Sequence, residues 1–131
     1  MGEVLRQIAL HVYAGGRTMH EVSVMQSVLE VALEHAQRQG ARQIHRIALR
    51  VGPLSGVVTE ALEFAFDVVT GGTPAEGAYL EVERTSVLCF CPGCDREFQP
   101  AGLFLECPQC RKNDVQVRQG RELELTYLEV S

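Results

Sequence analysis

The spacing of apolar residues along the chain predicts two amphipathic helices. From Val24 to Ala36, apolar residues recur every three or four positions, which is the period of a helix with one buried face, and Gly40 supplies a C-terminal stop. The same spacing returns over residues 59–70, where Thr59 is the expected N-cap. A pair of glycines then ends the second helix.

Alternation of apolar and polar residues predicts three strands, at residues 43–51, 78–83 and 122–127. In the first strand, His45 falls on the same side as Ile47, so we expect a half-buried histidine with a satisfied ring. The second strand leads directly into a cysteine-rich segment, and the third strand follows that segment. This order of elements predicts a small α+β domain that carries an inserted lobe.

Four cysteines form the strongest chemical signal in the chain. They make two C-P-x-C knuckles, Cys91 with Cys94 and Cys107 with Cys110, and twelve residues separate the knuckles. Two such knuckles can close on one ion as a tetrahedral four-thiolate site, which is typical of structural zinc. The alternatives are two disulfides, which need an oxidising compartment, or one redox-active pair, which explains only one knuckle. The fifth cysteine, Cys89, is interpreted as a small hydrophobe, with a spare ligand as its alternative.

Composition and charge narrow the class of protein. The formal net charge is −5, and acidic and basic groups balance within residues 87–120, so the basic patch that nucleic-acid binding needs is missing. The sequence has no run of eighteen apolar residues, so we expect no membrane-spanning helix. Residues 1–18 do not resemble a signal peptide. We therefore expect a cytoplasmic protein with reduced thiols. The sequence contains no nucleophile elbow, phosphate loop or H-E-x-x-H motif, which favours a non-enzymatic role.

A second candidate metal site is the tripeptide Met19-His20-Glu21, just before the first helix. Taken alone, a histidine beside a glutamate at a helix start most often forms a polar cap. If Met19 is the initiator, its free amine, the His20 backbone nitrogen and the His20 imidazole can form fused chelate rings around one ion. Such nitrogen-rich, near-planar coordination suits Ni(II) or Cu(II) better than zinc.

Four segments agree in order and spacing with one known family: MHEVS at 19–23, GPLSGV at 52–57, LEFAF at 62–66 and the paired C-P-x-C knuckles. On these segments, residues 19–130 resemble the HypA/HybF family, the nickel-delivery accessory proteins of NiFe-hydrogenase maturation.

The resemblance implies a fold and two metal sites. It implies two helices packed on a small three-stranded sheet, with the cysteine-rich segment inserted as a zinc lobe. His20 would be the essential nickel ligand, with Met19 and Glu21 beside it, and Ni(II) would be a transient cargo. The four knuckle cysteines would hold a structural Zn(II).

The resemblance also implies partners and a domain organisation. The partners would be the GTPase HypB and the large subunit of a NiFe-hydrogenase, and some family members also serve urease maturation. Neither nucleic acid nor a membrane is expected as a partner, and the protein is expected to be a monomer or a homodimer. Residues 19–86 and 116–131 would form the nickel-binding α+β domain, residues 87–115 the zinc-binding domain, and residues 1–18 an N-terminal extension of uncertain origin.

The N-terminal extension departs from the family pattern, because family members begin at the methionine that matches Met19. The extension is a misassigned start, an engineered addition or a real one. If it stays attached, the α-amine of Met19 is part of a peptide bond, and nickel loses a strong ligand.

Two other functions stay open on the residues alone. One is a zinc-ribbon interaction or regulatory module without nickel cargo, and the other is an iron-bearing, rubredoxin-like electron carrier, which would leave most of the chain unused.

Overall fold

The computed structural model describes residues 3–11, 21–102 and 104–131, the first of these ranges as backbone only. The elements in chain order are β1 (Glu3–His11), α1 (Glu21–Arg38), β2 (Ile44–Val51), α2 (Thr59–Thr70), β3 (Tyr79–Arg84), β4 (Leu88–Cys91), β5 (Arg96–Phe98), β6 (Gln116–Gln119) and β7 (Leu123–Val130). Two helices and two small sheets confirm the predicted α+β class. Neither helix in this part of the chain combines the length and the apolar character needed to span a membrane.

Both helices form where the apolar spacing predicts them. α1 extends beyond the predicted core of the helix at both ends, and the chain turns after it at Gly40, whose φ of 70° lies in the left-handed region that glycine adopts without strain. α2 has the predicted bounds, but the expected N-cap is wrong. Val58 occupies the cap position, and its apolar side chain cannot cap the helix. Thr59 is the first helical residue, and its hydroxyl oxygen accepts a hydrogen bond from Arg84 at 2.6 Å.

The larger sheet has four strands in the order β1-β7-β2-β3. β2 and β3 run parallel and are joined through α2, while β7 is antiparallel to β2. These three strands are the predicted ones, and β1 adds a fourth that pairs antiparallel with β7 along the opposite edge. The sequence pattern did not reveal β1, because its pairing with β7 shifts register between Arg6 and Leu10 and the alternation of residue types is interrupted there.

A second register shift explains the position of His45. Between β2 and β7, Ile44 pairs with Val130 and Arg46 with Glu129, so His45 is the extra residue of a bulge. The expectation that His45 shares the inward side with Ile47 is therefore wrong. The expected half-burial is found, and the His45 ring nitrogen Nε2 lies 2.6 Å from the Ser131 hydroxyl oxygen.

The hydrophobic core lies between the two helices and one face of the larger sheet. Met25 and Val28 on α1, Leu62 on α2, and Leu49 and Leu125 in the sheet are all fully buried. Because both helices cover the same face, the opposite face of the sheet carries the charged side chains of β2, β3 and β7.

The short connection between α1 and β2, residues 39–43, indicates that the two elements run in opposite directions along the sheet. The connection that leaves α1 bonds to the last residue of the chain, since the Arg42 amide donates to the Ser131 carbonyl at 2.7 Å. An eighteen-residue helix and an eight-residue strand are both about 27 Å long, so the two elements span the same distance. From this direction and these lengths we infer that Glu21 lies near the Val51 end of the sheet.

The cysteine-rich segment forms a separate three-stranded sheet in the order β5-β4-β6. Its chain leaves the larger sheet after Arg84 and returns at Leu123, and both residues pair with Val51. The lobe therefore emerges at the same end of the sheet as the start of α1. Because β6 belongs to this second sheet, we propose that the lobe extends to Gln119 and not only to residue 115.

Candidate metal centres

The four knuckle cysteines converge in the second sheet. Their sulfur atoms all lie within 4.8 Å of one another: Cys91, Cys94, Cys107 and Cys110. Two of these sulfur–sulfur distances join the two knuckles, Cys91 to Cys110 at 3.6 Å and Cys94 to Cys107 at 3.9 Å. A tetrahedral zinc with Zn–S bonds of about 2.3 Å separates its sulfurs by about 3.8 Å. The sulfur positions thus fit a four-thiolate zinc ion.

The same backbone turn shapes both knuckles. The residue directly after each second cysteine adopts a left-handed conformation, Asp95 with φ 49° and Arg111 with φ 65°. In the second knuckle, the Arg111 amide donates to the Cys107 carbonyl and the Cys107 amide donates to the Lys112 carbonyl, each at 2.9 Å. The turn brings two thiols separated by two residues to one point, which is what the C-P-x-C spacing predicts.

Two thiols of the cluster, Cys107 and Cys94, differ in how readily they ionise. Hydrogen bonds from the backbone of Cys110, and from that of Gln109, lower the pKa of the Cys107 thiol to about 6. Burial and the neighbouring thiols raise the pKa of Cys94 to about 12. Because a metal ion binds thiolates, zinc binding here would displace the proton of Cys94 and would weaken in acid.

Cys89 lies outside the sulfur cluster. It is fully buried in β4, where it pairs with Phe98 on one side and Val117 on the other. Burial raises the pKa of its thiol, which makes it a poor nucleophile and a poor ligand. This environment agrees with the interpretation of Cys89 as a small hydrophobe.

Polar and aromatic contacts stabilise the lobe around the sulfurs. Arg96 donates a hydrogen bond to the side chain of Gln109, which links β5 to the second knuckle. On the outer face, the Arg118 guanidinium lies 3.9 Å from the centroid of the Phe90 ring and 3.3 Å from a carboxylate oxygen of Glu97. The positive charge of Arg118 thus interacts with Phe90 and Glu97 inside the lobe, so it contributes little to any basic surface.

Of the three candidate nickel ligands, the structure describes one. Glu21 is the first residue of α1 and is half-buried, whereas Met19 and His20 lie outside the described residues. The negative charge of Glu21 in the first turn interacts favourably with the N-terminal end of the helix dipole.

Sequence reasoning missed one set of residues that link the two lobes. The apolar–polar pattern only puts Gly52 directly after the first predicted strand and Glu122 at the start of the third, but the two residues meet where the lobe joins the larger sheet. The Gly-Pro dipeptide at residue 52 was a signal of a special backbone position; nothing in the local sequence indicated its contact with Glu122.

The fold and the sulfur cluster define a two-lobed α+β metal-binding protein with a zinc-type four-cysteine site. A model of the family described as "Hydrogenase/urease nickel incorporation, metallochaperone, hypA" matches residues 19–130. The chain therefore belongs to the HypA family of nickel metallochaperones. The match leaves β1 outside it.

Sequence relatives and solved structures agree with this assignment. The hydrogenase maturation factor HypA of Picosynechococcus is 47% identical over 112 residues, which cover 86% of this chain and 99% of the relative. That of Acidithiobacillus ferrooxidans is 41% identical with the same coverage. The solution structure of the Ni metallochaperone HypA from Helicobacter pylori is similar with a TM-score of 0.63 and 28% identity, covering 86% of this chain and 97% of that one. A second solution structure of a HypA protein has a TM-score of 0.66 at 28% identity, covering 88% and 98%.

Proposed function

We propose that this chain is a non-enzymatic metallochaperone that carries Ni(II) as a transient cargo and delivers it to the large subunit of a NiFe-hydrogenase. The observation that carries the proposal is the family match, which runs from the first candidate nickel residue to the end of β7 without leaving out either lobe. A zinc-ribbon module would account for the cysteine lobe alone.

Nickel is bound, in this proposal, by His20 together with Met19 and Glu21. An imidazole and a backbone nitrogen are ligands that suit Ni(II), and a set with few side chains can release its ion to an acceptor. A closed four-thiolate cage, in contrast, leaves no open position for exchange. The two sites therefore have different roles.

Zinc is held by the four knuckle cysteines and stabilises the lobe. The sulfur spacing supports this assignment, as does the small size of the second sheet, in which the strands have three or four residues each. So small a sheet buries little apolar surface, and metal-binding energy replaces the missing core.

The topology supports a functional relationship between the two sites. The start of α1 and the two crossings into the lobe lie at the same end of the larger sheet, where Val51 pairs with both Arg84 and Leu123. An acceptor protein that takes nickel from the segment before Glu21 would therefore approach the end of the molecule that carries the zinc lobe.

The family assignment supports a proposal for the acceptor protein and for the protein that assists the transfer. We propose the GTPase HypB and the hydrogenase large subunit as partners, with urease maturation as a further destination of the nickel, and the cytoplasm as the place where they meet.

Titration with Ni(II) tests the proposal. His20→Ala should abolish stoichiometric nickel binding, because His20 supplies the only imidazole of the proposed set, while zinc content and the helical circular dichroism stay unchanged. His35→Ala, in α1, is the matched control because it removes an imidazole outside the proposed set, and it should bind nickel like the wild type. Equal nickel affinity of the wild type and His20→Ala would overturn the proposal and favour the zinc-ribbon module.

A further inference from the structure

Two short crossings connect the lobes, and they are bonded to each other. The first crossing comprises residues 85–87 and the second residues 120–122, three residues each. At their lobe end, the side-chain amide of Gln119 donates to the Ser86 carbonyl at 2.9 Å. Short linkers limit how far two lobes can separate, but they do not by themselves determine the angle between them.

The carboxylate of Glu122 ties the two crossings together. Its Oε1 atom accepts a hydrogen bond from the Thr85 hydroxyl at 2.8 Å and another from the Gly120 amide at 2.9 Å. One oxygen thus joins the outgoing chain to the returning chain. Hydrogen bonds to a charged acceptor are stronger than those between neutral groups, and Glu122 is only partly exposed, so water competes weakly.

The turn after β2 clamps the same point from the larger sheet. The Gly52 amide donates to the Glu122 carbonyl at 2.8 Å, and the Leu54 amide donates to the Gly120 carbonyl at 2.7 Å. Through these bonds the returning crossing is attached to the sheet domain on one side and to the outgoing crossing on the other.

Glycine is required at both positions of this clamp. A Cβ atom on Gly52 would lie 2.1 Å from the Gly120 carbonyl oxygen and 2.6 Å from Oε1 of Glu122, so any side chain would push the crossing away. Gly120 has a φ of 129°, a conformation that other residues adopt only with strain. We call Gly52, Leu54, Thr85, Gly120 and Glu122 the interlobe joint.

We infer that Glu122 is the positioning residue of this joint, and that it holds the four-cysteine lobe in one orientation relative to the larger sheet and the start of α1. The inference concerns the geometry between the lobes and does not depend on which metal the N-terminal segment binds.

The ionisation of Glu122 agrees with this role. Partial burial alone would raise the pKa of its carboxyl group, but hydrogen bonds from its own backbone amide, from Thr85 and from Gly120, together with the charge of Arg50, lower it on balance. The joint therefore favours the carboxylate form that accepts both hydrogen bonds.

Residual dipolar couplings of the zinc-loaded full chain test the inference. In the wild type, the amides of the larger sheet and those of the lobe sheet should fit one common alignment tensor. Glu122→Ala should abolish the common fit, so that each lobe keeps its own internal geometry but needs its own tensor. Glu122→Gln keeps an acceptor oxygen and should restore most of the common fit.

Two further variants keep the test decisive. Glu129→Ala removes a carboxylate from β7, away from the joint, and should behave like the wild type. If Glu122→Ala fails to fold, Thr85→Val decides instead, because it removes one of the two donors at nearly constant volume and should also abolish the common fit. Separate tensors in the wild type, or a common tensor retained in every folded joint variant, would overturn the inference.

Discussion

Leu49 of β2 and Leu125 of β7 face each other across the centre of the larger sheet, and both side chains are fully buried beneath the helices. This pair lies where the two central strands meet the helical layer. Its environment shows that the larger domain is stabilised by apolar packing between the sheet and the helices.

Leu49→Ala should therefore lower the free energy of unfolding by about 2–5 kcal/mol, because it removes buried methyl groups and leaves a cavity. Phe64→Ala is the matched control, since the Phe64 side chain is 72% exposed and its removal should change the free energy by less than about 0.5 kcal/mol. Urea unfolding followed by helical circular dichroism measures both. Equal losses for the two variants would contradict the assigned core.

Cys94→Ala should release the zinc ion and unfold the lobe while the helices keep their structure, because metal binding and folding are coupled in so small a sheet. Metal analysis and amide spectra of residues 88–119 check the two effects together. Cys89→Ala serves as the control and should keep its zinc, since Cys89 lies outside the sulfur cluster. Loss of the helical signal along with the lobe would show that the two parts do not fold separately.

A form of the protein that begins at Met19 should bind nickel more tightly than the 131-residue chain, because its free α-amine becomes available as a ligand. Binding should weaken as the pH falls through the imidazole range near roughly 6.5, since a protonated ring cannot ligate. Calorimetric titration of both forms at several pH values measures this. The shortened form with His20→Ala is the control, and if it bound nickel as tightly as its parent, the chelate geometry would be refuted.

The carboxyl group of Glu122 should make the protein's stability depend on pH in the acid range. Its pKa is lower in the folded state than the ordinary value of 4.5, so its stabilisation is fully present above that value and is lost as the pH falls through the folded pKa. The difference in unfolding free energy between the wild type and Glu122→Gln should therefore shrink on acidification. Urea titrations of both proteins over the same pH series measure it, and a difference that grows in acid would have the wrong sign for this explanation.

The sequence alone determined the elements whose signals are local. Helical periodicity located α1 and α2, and the bounds of α2 match the prediction at both ends. The C-P-x-C spacing predicted the convergence of four sulfurs, because a knuckle is a turn whose geometry depends on adjacent residues. The order and spacing of four segments, MHEVS, GPLSGV, LEFAF and the paired knuckles, indicated the family that the comparisons confirm.

Only the tertiary structure decided the features that depend on contacts between distant residues. β1 joins the sheet through pairing with β7, at the far end of the chain, and a register shift hides its alternation. The bulge at His45 likewise depends on the pairing of β2 with β7, and it moves His45 off the inward side of the sheet. The interlobe joint requires contacts of Gly52 and Thr85 with Glu122, and no local sequence pattern predicts these contacts. Residue periodicity specifies which face of an element is apolar, whereas hydrogen bonds across the fold are specified only when the whole chain has packed.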